Sequence, residues 1–82
     1  MQESILIADD ERAVRESVAT ALRREGFTVE AVADGEAAWG SFTKGAHDLA
    51  ILDISMPLLE GTAVLARARA ARIATPVIFL TS

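Results

Sequence analysis

Residues Leu49-Ala-Ile-Leu-Asp-Ile-Ser-Met-Pro-Leu-Leu-Glu-Gly61 run four apolar positions straight into Asp53 and then break at Met56-Pro57 and Gly61. An uninterrupted apolar run of this length suits a strand buried on both faces, the condition of a strand inside a parallel sheet. Pro57 fixes its own φ and restricts Met56, so the strand gives way to a sharp loop. Asp53 thus stands at the mouth of a buried strand. Alone, it reads equally as a turn former hydrogen-bonded to nearby backbone or as a carboxylate held for chemistry on a rigid scaffold.

The same grammar recurs upstream. Ser4 to Ala8 (SILIA) is a second short apolar run, and it ends in Asp9-Asp10. From Glu11 to Glu25 the period becomes helical: Val14, Val18, Ala21 and Leu22 share one face, with Glu11/Arg15 and Arg12/Glu16 at i,i+4 outside. Arg23-Arg24 suit the last turn of that helix, and Gly26 follows as its C-terminal cap. Phe27 to Val32 alternates and is rich in β-formers, a second strand. Asp34 is a candidate N-cap for a short helix, Glu36 to Thr43, carrying Ala37, Ala38, Trp39 and Phe42. Gly45 stops it, and His47-Asp48 lead into the strand Leu49 to Leu52. Thr62 is the expected cap of an Ala/Arg-rich helix ending near Arg72. Pro76 then opens a last strand, Val77 to Leu80. Alternating strand and helix with short links predicts an α/β fold, a doubly wound parallel sheet with right-handed crossovers and helices on both faces.

Composition narrows the function classes. The 82 residues are enough for one small domain, 51% hydrophobic and without cysteine, so there is neither a disulfide framework nor a thiolate metal site. Twelve acidic against eight basic residues give a net charge of −4. Seven of the bases are arginine and Lys44 is the only lysine. No basic stripe offers itself to nucleic acid; Arg67, Arg69 and Arg72 read as a solvated helix face. No apolar run approaches the ~20 residues that span a bilayer, and the N-terminus lacks a basic secretory segment. A soluble, cytoplasmic protein is expected.

In a parallel sheet the C-terminal ends of all strands share one edge, where open α/β folds bind ligands. Asp9 and Asp10 end the first strand, Asp53 the third, and Thr81 and Ser82 the fourth. If the first and third strands are neighbours, three carboxylates converge, which is unfavourable without a positive charge among them. Magnesium fits best, since it takes one or two carboxylates, keeps waters and accepts phosphate as a further ligand. One carboxylate can then attack phosphorus, with the Thr81 hydroxyl hydrogen-bonding a phosphoryl oxygen. His47 reads as structural at the strand entrance, and Trp39 and Phe42 as helix-to-sheet packing.

Taken together, the acidic pair Asp9-Asp10, the strand ending in Asp53, the Asp53-x-x-Met56-Pro57-x-x-x-Gly61 loop and the PVIFLT strand ending in Thr81 resemble the receiver domain of two-component response regulators. The resemblance spans essentially the whole chain. It implies a flavodoxin-like sheet of order 2-1-3-4-5 and phosphoryl transfer from a sensor histidine kinase to Asp53. It also implies magnesium held by Asp10, Asp53 and the backbone carbonyl of Ser55, Asp9 acting largely through a water, and Thr81 as a switch hydroxyl. Such a domain is a phosphoacceptor signalling module, not an enzyme in the usual sense.

Against the family pattern, residues 1–82 form a partial receiver that lacks the last strand and the last two helices. The family's lysine at the end of the fifth strand has no counterpart, and Lys44 lies in the wrong place. Expected partners are therefore the kinase and whatever completes the fold: the missing C-terminal half, an output domain or a second copy. No membrane and no direct nucleic-acid contact is expected. Two rival readings stand beside this one. A magnesium-dependent phosphatase of haloacid-dehalogenase type has an aspartate nucleophile too, but wants a second aspartate two residues later, where this chain has Ser55. A non-phosphorylated interaction or assembly fragment of receiver shape is the alternative for these residues by themselves. Val77 to Leu80, an apolar strand without a gatekeeping charge, is then an exposed edge open to pairing.

Overall fold

The two apolar runs that end in carboxylates lie side by side. In a computed structural model, which describes residues 3–45 and 47–80, β1 (Ser4–Ala8) pairs in parallel with β3 (Leu49–Asp53), with Ile5 opposite Leu49 and Ala8 opposite Leu52. β2 (Thr28–Val32) pairs with the other side of β1, and β4 (Val77–Leu80) with β3. The sheet order is β2-β1-β3-β4, all parallel. The doubly wound α/β architecture expected from the alternation is present.

Alternating side chains of these strands serve opposite faces. Leu6, Ala8, Ala50 and Leu52 form one buried cluster with Ala38 and Phe42 of α2 (Gly35–Lys44) and Val64 and Ala68 of α3 (Gly61–Ala70). Ile5 and Ile7 are buried on the other face, that of α1 (Arg12–Arg24), whose Ala19 is also buried. The split follows from chain direction. The path runs from β1 outward to β2, then back across β1 to β3, and right-handed crossovers in opposite directions put their helices on opposite faces.

Local sequence accounts for most element ends. Asp34 caps α2 through its Oδ1, which accepts the Ala37 N–H at 2.7 Å. Gly26, at φ 96°, ends α1 as its sequence position predicts. Two local expectations give way to tertiary contacts. The Arg12–Glu16 pair forms at 2.8 Å, but Arg15 donates instead to the Asp9 carbonyl, also at 2.8 Å, bracing the end of β1. Thr62 does not cap α3. The helix begins at Gly61 after an extended Glu60, with no side-chain cap, and the Gly61 N–H donates to the Ile54 carbonyl at 2.8 Å.

The α1 face is unevenly covered. Ile7, Ile51 and Ile78 stand in one row across β1, β3 and β4, passing from buried through half-buried to 52% exposed. α1 shields β1, and among the described residues no element shields β4 on this side. On the opposite face Val77 and Phe79 pack against the cluster under α2 and α3.

At the far end of the sheet, Glu30 of β2 joins three segments. Its Oε2 accepts from the Ser41 hydroxyl of α2 at 2.8 Å, and its Oε1 meets His47 Nε2 at 2.9 Å, just before β3. His47 is thus structural, as its place at the strand entrance predicted. The Ser41 hydrogen bond, with a further contribution from His47, holds the Glu30 carboxyl below its usual range despite some burial. A depressed carboxyl pKa stabilises the fold above the unfolded value, and that stabilisation is lost as pH falls through the folded one. Stability should therefore fall more steeply below about pH 4.3 in the wild type than in Glu30→Gln, as acid titrations followed by circular dichroism will show.

Candidate functional site

The carboxyl edge of the sheet gathers the acidic residues because β1 and β3 are neighbours in register. One carboxylate oxygen from each of Asp9, Asp10 and Asp53 lies within 4.8 Å of the others. Asp9 and Asp53 are only 4% and 6% exposed, while Asp10 faces solvent. Local backbone orients the two buried groups. Asp9 Oδ1 accepts the Glu11 N–H at 2.8 Å, and Asp53 Oδ1 accepts the Ser55 N–H at 3.2 Å. Each aspartate is therefore a turn former as well as a member of the cluster. The turn-former reading of Asp53 describes its contact with Ser55, and its place beside Asp9 and Asp10 is a separate feature.

The electrostatics are unbalanced. Burial raises the Asp53 carboxyl above its ordinary range, the Ser55 N–H partly offsets this, and the neighbouring charges of Asp9 and Asp10 raise it further. Among the described residues no ion pair reaches the three carboxylates; the pairs that form are Arg12–Glu16, Glu30–His47 and Glu36–Arg67. Lys44 ends α2, and because α2 runs back against the strands it lies at the opposite edge of the sheet. Oxygen donors crowded in this way, with one carboxylate open to water, are a donor set that a hard divalent cation fits.

The loop after Asp53 is held by close backbone approach. A Cβ on Gly61 would overlap the Asp53 carbonyl, and one on Gly35 the Leu59 carbonyl. Pro57 O accepts from both Leu59 N–H at 2.8 Å and Gly35 N–H at 3.2 Å, tying the loop to the start of α2. The first of these bonds closes a γ-turn centred on Leu58, at φ 70°. This form of the turn is rare and strained, and a non-glycine residue in it costs on the order of 1–3 kcal/mol. No sequence signal marked Leu58, because leucine has no preference for such a backbone. Beyond the loop, Arg67 of α3 lies 5.9 Å from the ring centre of Trp39 and 3.3 Å from Glu36, so this arginine of the expected solvated face joins α3 to α2.

Of the residues singled out in the sequence, Asp9, Asp10 and Asp53 come together with the Ser55 backbone beside them. Thr81 and Ser82 lie outside the described residues. At the position where an aspartyl phosphatase would carry its second aspartate, Ser55 contributes its N–H to Asp53.

A parallel sheet of order 2-1-3-4 with paired acidic strand ends defines a receiver-type α/β fold. Comparison with known proteins is in keeping with this. The sequence profile of the response regulator receiver domain matches residues 5–82, and the chain belongs to that family. It is 41% identical over 78 residues to the transcriptional regulatory protein TcrA of Mycobacterium tuberculosis, covering 95% of this chain and 31% of TcrA. The chain thus spans about a third of that relative. Among solved structures, the receiver domain of the Francisella response regulator 1452 superposes with a TM-score of 0.94 at 29% identity, over 98% of this chain and 66% of that one. Response regulator TrrA of Thermotoga maritima, in complex with Mg(2+)-BeF, gives 0.90 at 36% identity, over 98% of this chain and 70% of its own.

Proposed function

We propose that these residues form the phosphoaccepting part of a response regulator, with Asp53 taking a phosphoryl group from a phosphohistidine of a sensor kinase. The observation that carries this reading is the set of three carboxylates within 4.8 Å, two of them buried, and among the described residues no cation pairs with them. In the transfer the N–P bond of the donor breaks as an Asp53 Oδ–P bond forms. The electron pair of the broken bond returns to the imidazole, which takes a proton from solvent. The Ser55 N–H holds Asp53 Oδ1 and so fixes the orientation of the attacking carboxylate. The rigid ends of β1 and β3 fix the attack geometry, and burial keeps the nucleophile poorly hydrated.

Magnesium is the fitting cation: Asp10, Asp53 and the Ser55 carbonyl would hold it, with Asp9 contributing through a water. When bound, it offsets negative charge on the transferring group. The hydroxyl of Thr81, the residue next in sequence after Leu80, is the proposed switch group. This is signalling by covalent modification in the cytoplasm, and any turnover is limited to the domain's own phosphorylation and dephosphorylation.

Asp10→Asn should weaken magnesium at least tenfold, since a ligand charge is lost. Titration followed by Trp39 fluorescence and by amide shifts near Asp10 and Asp53 measures this. A folded wild type with no response in either signal has no such site.

Residues 1–82 are read as the first two-thirds of a receiver, and the uncovered row from Ile51 to Ile78 supports the need for a further covering element. The 82 residues alone should therefore self-associate through β4 or dock on the remainder of the fold. Ile78→Lys, on the uncovered row, should weaken that association without entering the buried cluster. A concentration-independent, cooperatively unfolding monomer in sedimentation contradicts the expectation.

A further inference from the structure

Leu58 combines two costs that neither packing nor turn chemistry explains. Its side chain is 76% exposed, and its backbone sits in the left-handed region at φ 70°. A lone exposed leucine is ordinary on a protein surface, but one kept in a strained turn beside a functional site is not. A loop built only to reverse the chain would be served by glycine or asparagine at this position. The turn is also firmly held, since the Pro57 carbonyl accepts N–H groups from both Leu59 and Gly35. An apolar side chain is thus presented to solvent on a rigid support.

The place of that support gives it a use. Leu58 lies in the loop between Asp53 and Gly61, at the sheet edge from which Asp53 is reached. A protein that brings a phosphorus atom to Asp53 must cover this rim, whereas a small phosphodonor need not touch it. We propose that Leu58 is an apolar docking anchor for the phosphohistidine-bearing protein that donates to Asp53, a positioning residue retained despite its backbone strain because the side chain is used. The inference rests on the phosphoacceptor reading above. A rigid, pre-oriented contact adds affinity because little conformational freedom is lost when it is covered.

The test compares wild type, Leu58→Gly, Leu58→Asn and Leu58→Met in an intact receiver carrying these 82 residues. Acetyl phosphate is the small donor. The macromolecular donor is the autophosphorylated sensor kinase of the source genome that labels wild type fastest. Leu58→Gly and Leu58→Asn should melt no lower than wild type and react with acetyl phosphate at the wild-type rate. Their kcat/KM with the kinase should fall at least tenfold, through KM, while Leu58→Met retains kinase transfer. Equal kinase transfer in all four proteins overturns the anchor and leaves the phosphoacceptor reading standing. Parallel loss with both donors makes Leu58 a determinant of loop shape, which also overturns the anchor. Labelling of wild type by acetyl phosphate but by no kinase overturns it again, and labelling by neither donor overturns both readings.

Discussion

Asp53→Asn should abolish phosphorylation: an intact receiver carrying these 82 residues should gain the mass of one phosphoryl group from a phosphodonor with magnesium, and the variant should gain none. The substitution keeps the shape of the side chain and leaves an amide oxygen to accept the Ser55 N–H, but removes the nucleophilic carboxylate. It also removes one of three crowded negative charges. Without metal the variant should therefore melt higher than wild type. The sign follows from the raised Asp53 carboxyl. A group whose folded pKa is raised favours the fold below its unfolded value, and that contribution is lost as pH rises through the folded one. The gain in melting temperature should accordingly be present at pH 7 and shrink towards pH 4. Intact mass and thermal melts on the same samples separate loss of chemistry from loss of fold. Residual labelling of Asp53→Asn would move the acceptor elsewhere.

Gly61→Ala should have the second largest effect, on fold and site together. The added methyl would meet the Asp53 carbonyl, with Ile54 Cα close behind. Both are backbone atoms of the segment that aims the acceptor, so neither can step aside as a side chain can. Overpacking of this kind costs about 1–3 kcal/mol, a large share of the 5–15 kcal/mol that holds a typical domain. The displaced loop would carry the Ser55 N–H away from Asp53. A lower melting temperature, with phosphorylation slowed beyond what the unfolded fraction explains, is expected. Wild-type stability in Gly61→Ala would show that the loop is more plastic than its hydrogen bonds imply.

Sequence reading reached the acidic site because its residues carry local signals: each follows an apolar run long enough only for a strand, and neighbouring parallel strands put their ends together. The α1 boundary was legible in the same way, from a helical period closed by Gly26. What stayed hidden depends on contacts distant in sequence. The Glu11/Arg15 spacing predicts an ion pair, yet Arg15 turns to the Asp9 carbonyl at the end of β1. Thr62 has the chemistry of a cap, but loop backbone placed the helix start at Gly61. Glu30 joins Ser41 and His47 across three segments, a triangle that no periodicity encodes. Leu58 left no trace because its strain is a property of the folded loop.

In the proposed function, Asp53 is the residue that accepts the phosphoryl group. The most direct test is chemical trapping. An aspartyl phosphate is an acyl phosphate, which borohydride reduces to homoserine at the modified position. Treating an intact receiver carrying these residues with a phosphodonor and magnesium, reducing it and sequencing its peptides by mass spectrometry should find homoserine at position 53 and at no other aspartate. Homoserine at Asp9 or Asp10, or none anywhere in a folded, magnesium-bound protein, would contradict the account.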